Sequence, residues 1–236
     1  MQLKTYLPFL LGALSCRPVV GCDDPDLDEP PSAPNITEVS FSGNGCPNGS
    51  VIGDLRSGGD IILSNFSAGI TSNPTDRTKN CMAHINFGSN PTGWQLSADN
   101  VTLRGYAVVE KGATAVFYLT TFWSQDASKT ETTQEQLTNT DDLPKTEFVD
   151  AVLPVNNIWS PCNANGILNV NVRVALTTQT KADNSTQAYG YFGKYEIPET
   201  NTTYPVTEAI NFKWRKCNTT AALWTKQKTL RRARIG

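Results

Sequence analysis

The chain has 236 residues, 39% of them hydrophobic and 18% charged, enough to bury one sizeable core. Its formal net charge is −2, and setting aside the five basic residues after Thr220 leaves the first 220 residues at −7. An acidic body excludes nucleic acid as a partner, because phosphate binding needs a basic face, and a single histidine, His84, excludes metal sites built from several imidazoles.

The N-terminus carries Lys4 and then the apolar run YLPFLLGAL, the pattern of a secretory signal over residues 1–21. Cleavage is expected between residues 15 and 22, where Ala13 and Ser15 precede Cys16, and Val19 and Gly21 precede Cys22. The run is too short to span a bilayer, and no later stretch reaches about 18 apolar residues, so a membrane span is not expected. Residues 22–35 form an acidic, proline-rich linker, with Asp23, Asp24, Asp26, Asp28 and Glu29 among four prolines, and such a segment cannot bury itself.

From residue 36 to 217 the pattern is that of strands: ITEVSFS, GDIILSNFS, CMAHINFG, VTLRGYAVVE, ATAVFYLTTFW, TEFVDAVLPV, ILNVNVRVALT, AYGYFGKYEI and AINFKWRKC. The clearest is Leu168 to Leu176, where Leu168, Val170, Val172, Val174 and Leu176 alternate with Asn169, Asn171, Arg173 and Ala175, a period of two with one face buried. Ile210, Phe212 and Trp214 repeat the device. Short strands with frequent turns predict an all-β, antiparallel β-sandwich, with a partly closed barrel as the competing architecture. Residues 124–145, SQDASKTETTQEQLTNTDDLPK, are polar and poor in apolar residues and are expected to form a disordered loop. Residues 218–236 are a basic tail, expected to be solvated and unstructured.

Cys46, Cys81, Cys162 and Cys217 each fall at a predicted strand end, widely spaced and without a CxxC pair, so neither a zinc ribbon nor a thioredoxin-type centre is implied. In an exported chain they are staples. Four cysteines allow three pairings, and the sequential one, Cys46 with Cys81 and Cys162 with Cys217, is expected. Export is supported by seven Asn-X-Ser/Thr triplets, at Asn35, Asn48, Asn65, Asn100, Asn184, Asn201 and Asn218, which mark surface loops of secreted chains.

Chemistry for turnover is sparse. His84 lies in CMAHINF on the face opposite Cys81, Ala83, Ile85 and Phe87, and no GxSxG elbow presents a serine to it, so a sheet-surface histidine is expected. Glu110, Glu147, Asp150, Glu196 and Glu208 fall on or beside strands, where two facing carboxylates would suffice for glycoside hydrolysis, yet nothing ranks one pair above another. No phosphate-binding glycine loop or calcium loop occurs, so no cofactor is implied. Tyr189, Tyr191, Phe192 and Tyr195 in QAYGYFGKYEI could offer flat faces to a sugar, as could Trp94 in the loop-like PTGW; Tyr189, Tyr191 and Trp94 are the candidate glycan contacts. Trp123, Trp159 and Trp214 are expected to fill the core.

GNGCPNGSV at 43–51, DRTKNC at 76–81, GW at 93 and 94, LRGYA at 103–107, WSPC at 159–162 followed by GILNVNVRVAL, and WRKC at 214–217 together resemble a family of secreted, mainly fungal proteins, domain of unknown function 4360. The resemblance covers residues 36–217. It implies an exported β-rich domain stapled by these cysteines, and no activity or active-site residues. The expected protein is therefore secreted, extracellular, N-glycosylated and non-catalytic, binding cell-wall or host glycans. The alternatives are an effector or inhibitor that binds a host protein, and a carboxylate-dependent glycan hydrolase.

Overall fold

The computed structural model describes residues 29–178 and 188–217. The expected signal with Cys16 and Cys22, the first half of the acidic linker, the triplets at Asn184 and Asn218 and the basic tail lie outside the described residues.

Alternation along the chain produces two antiparallel layers. In the first, β1 (Ile36–Ser42), β5 (Thr78–Phe87), β10 (Gly166–Thr178), β7 (Ala113–Trp123) and β8 (Glu131–Thr138) lie side by side in that order. In the second, β2 (Val51–Ile52), β3 (Ile61–Leu63), β14 (Val206–Lys216), β6 (Trp94–Val109), β11 (Gly190–Gly193) and β4 (Ala68–Gly69) follow one another. The 16-residue β6 organises this layer. It pairs with β14 from Trp94 to Arg104 and with β11 from Tyr106 to Val109, while β9 (Lys145–Pro154) runs along its other edge. A separate hairpin joins β12 (Tyr195–Ile197) to β13 (Thr202–Tyr204). Neither layer closes into a barrel, so the sandwich expectation holds.

The inner faces supply one shared core. Leu168, Val170, Val172 and Val174 of β10 are fully buried, as are Leu96, Ala98, Val101 and Leu103 of β6. Phe117 of β7 meets Phe192 of β11 edge to face at 5.1 Å, which locks one layer to the other. Gly105 must be glycine there, since a Cβ would lie 2.6 Å from the Phe192 ring.

Both expected disulfides form. Cys46–Cys81, with Cα atoms 5.3 Å apart, is buried and ties the segment after β1 to β5. Cys162–Cys217, at 5.9 Å, joins the segment before β10, which is hydrogen-bonded along β6, to the end of β14.

Residues 124–145 correct the sequence expectation. Rather than a disordered loop, they form a short 3-10 turn at Ser124–Asp126 and the edge strand β8, paired with β7 from Thr121 opposite Glu131 to Thr114 opposite Thr138. Leu137 is the only apolar residue of β8. Threonines compensate, because β-branched side chains suit a strand, and Thr120 and Thr132 share a hydrogen bond at 2.9 Å across the pair.

Candidate binding face

The outer side of the second layer carries rings. On β6, Arg104, Tyr106 and Val108 point away from the core between the buried Leu103, Ala107 and Val109. Register places Phe148 of β9 opposite Tyr106, and Asp150 opposite Arg104. The β12–β13 hairpin then brings Tyr195 and Tyr204, a directly paired couple, over the same area.

Four rings result, in mutual contact. Tyr106 and Tyr195 lie 4.4 Å apart at 33°, and Tyr195 and Tyr204 lie 6.3 Å apart at 28°. Phe148 stands across them, at 65° to Tyr106, 89° to Tyr195 and 68° to Tyr204. Phe148 is 59% exposed and Tyr204 46%, so the group presents apolar surface to solvent. Val152, on the same side of β9 beyond Asp150, is exposed as well.

The rim is charged and satisfied. Arg104 bonds Asp60 at 2.6 Å and lies 3.4 Å from Asp150, and Lys194 pairs with Glu196. Tyr191 flanks the rings, and its hydroxyl donates to the Lys194 carbonyl at 2.9 Å. Burial, then the neighbouring Tyr189 and Glu196, push its phenol above the ordinary value, so it stays a neutral donor. Gly193, opposite Tyr106, makes room, since a Cβ there would sit 2.4 Å from the Tyr191 oxygen.

Of the three candidate glycan contacts, Tyr189 is 44% exposed and Tyr191 half-buried, both beside this face. Trp94 is not with them. It opens β6 rather than lying in a loop, is buried, and occupies the end of that strand remote from Val109, where β11 pairs. Tyr106, Phe148 and Tyr204 were not singled out by sequence. The available signal was the shared parity of Phe148, Asp150 and Val152.

The carboxylates are dispersed among separate partners. Glu110 accepts the Tyr189 N–H, Glu147 pairs with Lys145, Asp150 with Arg104 and Glu196 with Lys194. Glu208 is fully buried with both oxygens unpartnered, and burial raises its carboxyl to about 8. Among the described residues no group of three or more His, Cys, Asp and Glu is arranged for a metal, and no helix is long and apolar enough to cross a membrane.

His84 is more connected than its strand position implied. Its Nε2 lies 2.9 Å from Ser42 Oγ and its Nδ1 2.7 Å from Asn169 Oδ1, on the open outer side of the first layer. Of the five described triplet asparagines, Asn35, Asn48, Asn65 and Asn201 are exposed, whereas Asn100 is half-buried and accepts from Asn211 across β14.

Comparisons with known proteins give three findings. Residues 32–217 match the model of the family described as Domain of unknown function (DUF4360). An "Uncharacterized secreted protein" of Arthroderma benhamiae is 33% identical over 153 residues, 62% of this chain; the match spans 61% of that relative's length. The structure of TmCBM61 in complex with beta-1,4-galactotriose aligns with 78% of this chain and 91% of its own, at 11% identity and a TM-score of 0.24.

Proposed function

The chain belongs to the family described as Domain of unknown function (DUF4360), and from that premise we propose that it is an exported protein that binds neutral glycans without turning them over. The observation that carries this is the four-ring cluster of Tyr106, Phe148, Tyr195 and Tyr204 beside the Arg104 ion pairs. Sugar rings present C–H faces that pack on aromatic rings, and hydroxyl edges that need donors and acceptors at the rim. The rings supply the first, and the paired rim carboxylates of Asp60 and Asp150 keep lone pairs beyond their Arg104 contacts for the second. Export is supported by two disulfides, which persist in oxidising compartments, and exposed Asn35, Asn48, Asn65 and Asn201 are the proposed N-glycan acceptors.

The test is a panel of immobilised glucan, mannan, galactan and chitin. Wild type is retained on at least one, and Phe148→Ala is not; no retention anywhere contradicts the reading. The near-perpendicular stance of Phe148 against Tyr195 makes a ridge of this face, which favours a second reading: a protein partner with an apolar groove. A blank panel with a captured partner that Phe148→Ala releases would select it.

Absence of turnover has its own test, since Ser42, His84 and Asn169 form a hydrogen-bonded chain. A serine-directed fluorophosphonate leaves Ser42 unlabelled. Labelling that disappears in His84→Ala would make the protein a hydrolase.

A further inference from the structure

At the opposite end of β6 from the ring cluster, Gln95, Trp159, Asn157, Gln125 and Arg215 line a cleft of about 490 Å³, within the roughly 300–1,000 Å³ usual for small-ligand sites. Among these, Arg215 is an exposed cation. The Arg215 guanidinium sits over Trp159, its carbon 4.2 Å from the ring centroid. Arg215 Nε donates to Gln95 Oε1 at 2.9 Å, and Gln95 Nε2 donates to the Ser160 carbonyl at 2.5 Å. Two bonds thus fix the plane of the fork. Its two terminal nitrogens have no partner among the described residues.

The Cys162–Cys217 disulfide holds the two sides together, one sulfur three residues after Trp159 and the other two after Arg215. Three backbone bonds reinforce it: Ser160 to Leu96 at 2.9 Å, Asn163 to Trp94 at 3.0 Å and Cys217 to Gly93 at 2.8 Å. Two lysines nearby are paired, and the Glu131 carboxylate is held by the amides of Asn156 and Asn157. Lys129 is paired with Asp126, whose carboxyl is lowered by that bond and by Ser128, and Lys213 is paired with Asp99.

We infer that this cleft binds the carboxylate of a hexuronic acid unit. One unpaired guanidinium matches one monoanion, and a planar fork meets a carboxylate with two parallel bonds. The exposed amides of Gln125 and Asn157 each offer a donor and an acceptor, as sugar hydroxyls require. A phosphate dianion would call for more positive charge than the cleft leaves free.

The experiment is calorimetric titration of the disulfide-intact protein with a short glucuronic acid oligomer and with the glucose oligomer of equal length. The uronate binds at least tenfold more tightly, and its affinity falls as salt rises. Arg215→Lys keeps the charge, loses the fork and weakens binding about tenfold; Asn157→Ala, an exposed change, weakens it several-fold. Phe148→Ala leaves uronate binding unchanged, which separates this site from the ring cluster. Equal affinity for the two oligomers, or wild-type affinity in Arg215→Lys, overturns the inference. So does a short peptide whose C-terminal carboxylate binds as tightly as the uronate, since the ligand would then be a peptide end.

Discussion

The two layers obey the same alternation and differ in what they turn outward. On the first, polar side chains pair with one another: Thr114 with Thr138 at 3.1 Å, Thr120 with Thr132 at 2.9 Å, and Arg173 over Tyr118 at 4.1 Å. On the second, Phe148 and Tyr204 stand exposed among rings. The inner faces differ as well, since the first layer buries the Cys46–Cys81 staple and the second buries an unpaired carboxyl at Glu208. A period of two therefore assigns a side chain to the wet or the dry side, and says nothing of whether that side is self-satisfied or left open for a ligand. The outer face of the first layer is occupied largely by its own polar pairs, and that of the second leaves rings exposed beside a core that buries an unpaired carboxyl.

The largest test of that contrast is removal of the buried staple. Cys46→Ala with Cys81→Ala, releasing a 35-residue separation, should lower stability by about 4 kcal/mol in the loop-entropy picture, read by denaturant unfolding. Glu208→Gln in the other layer should act in the opposite direction. A carboxyl raised from 4.5 to about 8 by burial binds its proton more tightly when folded, so stability is highest below pH 4.5 and declines as pH rises towards 8. The span is about 5 kcal/mol, of which about 3 kcal/mol is already lost at pH 7. Glu208→Gln should recover that part at pH 7 and flatten the pH profile between those limits. A wild-type protein equally stable at pH 5 and pH 8 would remove the burden assigned to Glu208.

Binding should separate from stability at the surface. Phe148→Ala should cost glycan retention about tenfold, or about 1.4 kcal/mol, while the lost contacts to three rings lower stability by about 1 kcal/mol, well short of the staple's effect. The smallest effect belongs to the first layer. Thr120→Ala should cost about 0.2–1 kcal/mol of stability through its lost cross-strand bond to Thr132, without touching binding.

Much of this architecture was legible in the sequence. Leu168 to Leu176 announced a one-sided strand, and the spacing of Cys46, Cys81, Cys162 and Cys217 announced staples. The edge strand β8 was not legible, because its inward side is only half-buried and sends a single apolar residue, Leu137, to the core, so no apolar alternation marks it and a ladder with β7 sufficed. Trp94 misled because Gly93, at φ 88°, does make a turn, but the turn ends there and the indole enters β6. Glu208 was readable in principle: it stands two residues before Ile210, on the buried parity of β14. The ring cluster was only half readable. Parity put Tyr106 and Phe148 on outer faces, but their meeting depends on β9 lying beside β6 and on a hairpin folding back, which are long-range pairings that no local pattern encodes.

The most direct measurement runs wild type, Phe148→Ala and Tyr118→Ala side by side through gels containing the retained neutral polysaccharide. Tyr118 serves as the matching aromatic on the other layer. Retardation of wild type and Tyr118→Ala with free migration of Phe148→Ala is the predicted result. Equal retardation of all three, or loss only in Tyr118→Ala, would contradict the assignment of binding to the second layer.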